Sequence, residues 1–279
     1  MNWNNVIQKE MSEVLETLQE AFEVLHIDFY LIGAVARDIW FAESGRTTRR
    51  TKDVDFAIYV GTREEFEAVK EYLKEKKGYQ DSRENMFVLL APTGLQVDIL
   101  PFGGIEFDGE VHLDGKGVTN IRVSGLQEVY ETGTETVAQA TGQEFQVASL
   151  AAIVLLKLVA YDDRPEKRLK DAKDIANIIE GYFDLQTDLI YEQHNDIFAV
   201  TEKALDQLLL EEIAAEVLGR EIKKISKGNL ELLRRVQKIL SGVLSEGEKS
   251  TFVHEMVAET GRPVTELLRW LEKMARGLQ

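Results

Sequence analysis

The sequence predicts an α+β fold: a mixed sheet with flanking helices over residues 1–148, followed by an α-helical domain over 149–279. Two observations carry the prediction. Apolar residues alternate with period two in "DVDFAIYV" (53–60) and "LQVDILPF" (95–102), whereas from Ser149 onward they recur at the helical period of 3.6. A short apolar run ending in glycine, "FYLIG" (29–33), also feeds directly into a helical pattern, "AVARDIWFAES" (34–44). Strand–helix alternation of this kind belongs to sheets that carry helices on their faces.

Taken in order, Met11, Val14, Leu15, Leu18, Phe22 and Leu25 form one stripe of an amphipathic helix over residues 5–25. "FYLIG" is a short buried strand, and the helix after it gives way to a polar, basic loop, "GRTTRRTK" (45–52). The strand "DVDFAIYV" places Val54, Phe56, Ile58 and Val60 on one face. "TREEFEAVKEYLKEKKG" (62–78) is a helix with Gly78 as its stop signal. "MFVLL", "APTG" and "LQVDILPF" make a strand, turn and strand, a hairpin, and "GVTNIRVSG" (117–125) supplies one more strand. "SLAAIVLLKLVAY" (149–161) is a strongly apolar helix with Ser149 as N-cap. The helical segments beyond it are expected to break near Gly181, Gly219, Gly228, Gly247 and Pro263.

Composition narrows the function classes. Hydrophobic residues make up 44% of the 279, with 12 Phe, 8 Tyr and 3 Trp, enough for packed cores and too many for a disordered chain. Cysteine is absent, which excludes disulfides, thiolate zinc sites and a cysteine nucleophile. No apolar run reaches the roughly 20 residues of a membrane span, and the N-terminus lacks the basic-then-apolar order of a signal peptide. A cytoplasmic protein with no membrane partner is expected. The 33 Lys and Arg against 49 Asp and Glu give a net charge of −16, which repels polyanions at long range. A nucleic-acid partner therefore requires a local basic patch, and two are present. Arg46, Arg49, Arg50 and Lys52 lead into Asp53, and Arg164, Lys167, Arg168, Lys170 and Lys173 cluster further on. Either can hold a triphosphate or an RNA backbone, or be a solvated face. His26, His112, His194 and His254 are scattered without ligand spacing.

The chemistry-bearing residues are carboxylates on apolar strands. Asp53 and Asp55, two apart, point to the face opposite Val54, Phe56 and Ile58. Asp98 interrupts a second apolar strand, with Val97 and Ile99 facing away from it. If these strands are neighbours, three carboxylates converge on one patch, and such an oxygen-rich set suits Mg²⁺ or Mn²⁺. Taken singly, a D-x-D or a lone Asp is more often a solvated strand end. The strand–glycine–helix unit leaves free backbone N–H groups at Gly33 and Ala34 where a phosphate can dock, with Arg37 one turn on. The alternative is a tight turn beside a solvated Arg37–Asp38 pair. Lys157, inside "AAIVLLKLVAY", needs an anion or must snorkel. Asp171 and Asp174 share a helix face and either serve a site or pair with Lys167, Arg168 or Lys170.

At these residues the chain resembles the polymerase β-like nucleotidyltransferase superfamily. Within it, the chain is most similar to the AbiEii/AbiGii abortive-infection toxin family. "LIGAVARD", "RRTKDVDF", "VDILPFGGIE", "LLKLVAYDDRPEKRLKDAKDI" and "AAEVLGREI", spanning roughly residues 29 to 220, carry the likeness. The resemblance implies a nucleotidyltransferase domain over 1–148 and a helical domain over 149–279. It also implies a metal pair at Asp53 and Asp55, a third carboxylate at Asp98 and a phosphate-binding turn at Gly33 and Ala34. Lys157 and the run Lys170, Asp171, Ala172, Lys173, Asp174 match the family's lysine helix and its basic-Asp-x-x-Asp stretch. Arg37, Arg50, Lys52, Lys157, Lys170, Asp171 and Asp174 are accordingly expected on the nucleotide. Ala34 departs from the usual Gly or Ser, so a serine hydroxyl contact to phosphate is lost while the backbone amides remain. The implied activity is Mg²⁺-dependent transfer of a nucleotide from NTP to an RNA acceptor such as tRNA, under a cognate antitoxin. The rival readings are transfer to a small cationic acceptor such as an aminoglycoside, which the negative charge favours, and a catalytically idle homologue that binds a nucleotide or partner.

Overall fold

A seven-stranded mixed sheet organises the first half of the chain. In the computed structural model, which describes residues 9–43, 53–138, 144–199 and 209–279, the chain divides into two units, Met1–Ser149 and Leu150–Gln279. The first unit runs α1 (Lys9–Leu25), β1 (Asp28–Ile32), α2 (Gly33–Glu43), β2 (Asp53–Tyr59), α3 (Arg63–Lys77), β3 (Gln80–Asp81), β4 (Val88–Leu90) and β5 (Gln96–Phe102). It continues with β6 (Glu110–His112), β7 (Asn120–Arg122), α4 (Leu126–Thr132), β8 (Thr134–Ala138) and β9 (Glu144–Ala148).

The main sheet has the order β3-β4-β5-β2-β1-β9-β8, so β2 is its middle strand. β2 pairs antiparallel with β1 and parallel with β5, and β4 with β5 forms the expected hairpin. Alternation sets the faces: Val54, Phe56 and Ile58 are fully buried, and Phe56 packs against Phe22 of α1 and Phe29 of β1 at ring distances of 5.8 and 5.9 Å. Phe145 of β9 extends this cluster, 6.4 Å from Phe29. α3 begins where Thr62 accepts a hydrogen bond from the Glu65 N–H and ends at Gly78, whose left-handed conformation lets its own N–H return to the last turn.

Two features of this unit lie beyond the sequence pattern. "GVTNIRVSG" does contain a strand, β7, but it pairs with β6 in a separate two-stranded sheet. Helix α4 and strands β8 and β9 went unread, because "LQEVYET", "TETVA" and "EFQVA" are short and mix polar with apolar residues.

The second unit holds α5 (Leu150–Asp163), a 3₁₀ turn (Pro165–Lys167), α6 (Leu169–Leu185), α7 (Thr187–Gln193) and a 3₁₀ turn (Asn195–Phe198). After these come α8 (Leu210–Ile225), α9 (Leu230–Glu246), α10 (Thr251–Thr260) and α11 (Val264–Gly277). α5 starts directly after Ser149, and Leu150 to Leu155 are all buried, as expected of a helix apolar on every side. The expected breaks near Gly228, Gly247 and Pro263 coincide with helix ends. Those at Gly181 and Gly219 do not: both glycines are buried inside helices, α6 and α8. At Gly219 a Cβ would overlap the Met274 backbone and stand 3.0 Å from Gly277 Cα, so this glycine lets α8 and α11 cross backbone to backbone.

Candidate active site

The acidic strands are neighbours, and their register is direct. Asp55 lies opposite Asp98 and Asp53 opposite Gln96 across the parallel β2–β5 pair. Residues paired in this way point to one face of the sheet, so all three carboxylates share the face opposite Phe56 and Val97. Asp53 is exposed at the strand end, while Asp55 and Asp98 are half-buried. Gln96, which the sequence reading passed over, donates from Nε2 to Asp98 Oδ1 at 2.7 Å. Its position two residues before Asp98 on the same strand was the available signal.

The β1–α2 turn backs this face. Gly33 adopts φ +71°, and a Cβ at this position would overlap the Asp55 carboxylate. Glycine is therefore required twice over, by the left-handed backbone and by the close approach. The expected reason was access for a phosphate; the contact in the structure is with Asp55 itself. Ala34 follows as the second residue of α2, half-buried. Arg37 is buried, with Nε and Nη2 donating to Asp38 Oδ1 at 3.0 and 2.7 Å. The Arg37–Asp38 pair is thus a buried one, not a solvated one. Arg46, Arg49, Arg50 and Lys52 lie outside the described residues.

The helical-unit candidates form a second group. Lys157 of α5 neither snorkels nor stands alone: its Nζ reaches Asp171 Oδ1 at 2.9 Å and Asp174 Oδ2 at 2.6 Å on α6. Burial alone opposes the lysine's charge, but the two carboxylates outweigh it and hold its pKa above the ordinary lysine range. Asp171 is itself buried, and its second oxygen, Oδ2, has no hydrogen-bond partner among the described residues. Asp171 and Asp174 therefore pair with Lys157 of α5 rather than with Lys167, Arg168 or Lys170. Lys170 is exposed.

Among the described residues, no three carboxylate or imidazole groups are drawn together into a metal-holding arrangement. The donor chemistry on β2 and β5 nonetheless fits a divalent cation. It is all oxygen, and Asp55 and Asp98 sit on strands about 5 Å apart, close enough for one cation to meet both.

A glycine-backed acidic strand pair at the centre of a mixed sheet is the arrangement of a nucleotidyltransferase. The family assignment is specific: residues 16–245 match the family described as "Nucleotidyl transferase AbiEii toxin, Type IV TA system", and the chain belongs to it. No curated protein shows significant similarity to the chain. Among solved structures, it is similar to the antibiotic-resistance factor ANT(2'')-Ia, with 14% identity, TM-score 0.41, and coverage of 83% of this chain and 97% of that one. It is also similar to the Thermotoga maritima CCA-adding enzyme complexed with tRNA, with 13% identity, TM-score 0.34, and coverage of 95% and 66%. A CCA-adding enzyme in complex with ATP shows 13% identity and TM-score 0.35, with coverage of 100% and 84%. No helix among the described residues is long and apolar enough to cross a membrane.

Proposed function

We propose that this nucleotidyltransferase moves a nucleotide from an NTP to an RNA acceptor such as tRNA, as the toxin of a pair with a cognate antitoxin. In this reading residues 1–148 are the catalytic domain and 149–279 a helical domain. The single observation that supports it most is the direct register of Asp55 with Asp98, two residue pairs along from Asp53. Asp53, Asp55 and Asp98 would hold Mg²⁺ or Mn²⁺. When bound, such cations neutralise the triphosphate and acidify the acceptor hydroxyl.

The chain's own residues divide the remaining work. The Gly33 and Ala34 N–H groups at the start of α2 hydrogen-bond phosphate oxygens, helped by the positive end of that helix. Arg37, one turn on in α2, has its charge balanced by Asp38, which fixes its position relative to the turn. Arg50, Lys52 and Lys170 offset the triphosphate's charge, and the Lys157, Asp171 and Asp174 group orients the nucleotide. Asp98 accepts the proton of the acceptor hydroxyl. That oxygen bonds to the α-phosphorus, the bond from that phosphorus to the bridging oxygen breaks, and pyrophosphate leaves with its electron pair.

The net charge of −16 favours a small cationic acceptor as a second reading. Incubation with each α-labelled NTP and either total tRNA or an aminoglycoside panel separates the two. Label in RNA, lost in Asp55→Asn, is the expected result. Label in the aminoglycoside, or no pyrophosphate released from any NTP with any acceptor, overturns the proposal.

A further inference from the structure

The helical unit carries a strip of cations whose flanking aspartates are engaged elsewhere. Arg164, Lys167, Arg168 and Lys170 are exposed. Among the described residues none of the four forms an ion pair, although the chain has 49 acidic residues for 33 basic ones. With acid in such excess, four cations within seven residues left unmatched need a reason.

The flanking residues supply it. Asp162 and Asp163, just before the strip, are both held by Arg235 of α9, at 2.8 and 2.6 Å. Asp171 and Asp174, just after it, are both held by Lys157. Lys173 pairs with Glu255 at 3.2 Å. Glu166 is the one carboxylate inside the strip, which leaves residues 164–170 with four positive charges against one negative.

The backbone also holds the strip stiffly. Pro165 fixes its own φ. The Arg164 N–H donates to Ala160 at 3.3 Å, Lys167 to Arg164 at 2.9 Å, Arg168 to Pro165 at 3.3 Å and Asp171 to Arg168 at 2.9 Å. Arg164 caps the 3₁₀ turn Pro165–Lys167, so Arg164, Lys167 and Arg168 follow one another along a single tight segment. Arg168 then occupies the N-cap position of α6 and makes no side-chain cap hydrogen bond there. Cations at a helix start are opposed by the helix dipole, and Ser, Thr, Asp or Asn is preferred. The local sequence is therefore tuned for positive potential and against helix stability.

We infer that Arg164, Lys167 and Arg168 form a docking strip for the sugar–phosphate backbone of the RNA acceptor. This rests on the acceptor reading above. A compact triphosphate calls for an enclosed site with convergent donors. A stiff, exposed row of charges instead matches a polyanion running past, one phosphate per cation. The strip also answers the problem set by the net charge: the molecule as a whole repels RNA, and a local cation row sets where the acceptor lands.

The test uses the full chain, with Lys167→Gln and Arg168→Gln combined, and a charge-keeping control, Lys167→Arg with Arg168→Lys. The probe is fluorescently labelled total tRNA, titrated across a potassium chloride series, with calorimetric titration of each NTP in parallel and thermal melts to check folding. The double Gln variant is expected to bind tRNA on the order of tenfold more weakly. Its slope of log affinity against log salt should be shallower by about 0.7 to 0.9 per lost contact. NTP affinity and melting should match wild type, and the control should keep the wild-type slope. Wild-type tRNA binding and slope in the double Gln variant, while the wild type labels tRNA, overturn the strip alone. Weaker NTP binding with an unchanged tRNA slope assigns the strip to the triphosphate and also overturns it. A wild type that neither binds nor labels tRNA removes the acceptor reading and the strip together.

Discussion

Replacing Gly33 with alanine probes the contact between the β1–α2 turn and Asp55. Two costs are separable. The backbone cost of a left-handed φ of +71° in a non-glycine residue is about 1 to 2 kcal/mol. The steric cost follows from position: the new Cβ would stand 2.8 Å from Asp55 Cγ, where ordinary contact begins at 3.4 Å, so the carboxylate must retreat by about 0.6 Å (3.4 − 2.8) or more. Misplacing a reacting group by about 1 Å costs roughly 100-fold in rate, so transfer should fall by between one and two orders of magnitude. Gly94 provides the control. It also has a left-handed φ, +86°, but a Cβ there meets nothing within 4 Å. Gly94→Ala should lose about the same backbone energy, a melting shift of roughly 2 to 4 °C per kcal/mol, with wild-type transfer. The assay is single-turnover transfer from labelled NTP beside thermal melts of both variants. If Gly33→Ala transfers at the wild-type rate and melts like Gly94→Ala, the turn does not position Asp55 and the reasoning fails.

Three further outcomes are expected. Asp98→Asn should lower transfer by at least about 100-fold, more than an outer-shell partner would, while urea unfolding in a chelator shows unchanged or raised stability because a like-charge neighbour of Asp55 is gone; destabilisation with full activity per folded molecule would mark Asp98 as structural. Lys157→Met should destabilise by about 3 to 5 kcal/mol, since it strands the buried Asp171 carboxylate. Because the lysine's folded pKa is raised, its stabilisation is complete below the unfolded value of about 10.4 and is lost as pH rises through the higher folded value. The wild-type minus variant difference in urea unfolding should therefore stay level from neutral pH to about 10, and a collapse nearer neutrality would contradict the ion triad. Gly219→Ala should cost about 1 to 3 kcal/mol by forcing α8 from α11, and an unshifted melting temperature would show that the crossing relaxes freely.

Much of the sheet was legible because period-two alternation reports burial directly. Val54, Phe56 and Ile58 are readable as one face, which places Asp53 and Asp55 on the other without any structure. That Asp98 joins them depends on β2 and β5 pairing in parallel, a non-local fact that alternation cannot carry. Glycine was ambiguous for a physical reason. The same missing Cβ serves to end a helix at Gly78 and to let two helices touch at Gly219, and only the neighbour reveals which. Lys157 posed the same difficulty: its need for an anion was evident from the apolar helix around it. The anions proved to be Asp171 and Asp174, brought there by the packing of α6 on α5. β8, β9 and α4 stayed hidden because short elements with mixed polarity lack a periodic signal of useful length.

The middle position of β2 has a consequence for how the protein is made. Its antiparallel partner β1 is already synthesised when residue 59 emerges, whereas its parallel partner β5 ends at residue 102, beyond α3 and the β3–β4 segment. Parallel pairing across so long a crossover is a late event, governed by loop closure. The acidic face therefore does not exist in the nascent chain until β5 docks, and docking must bring Asp98 against Asp55 at the moment the sheet closes. Electrostatic repulsion opposes that step and ionic strength screens it. Refolding of the full chain should accordingly quicken with added salt, and more with divalent than with monovalent cations. The face that carries Asp53, Asp55 and Asp98 would thus be complete only when the sheet is.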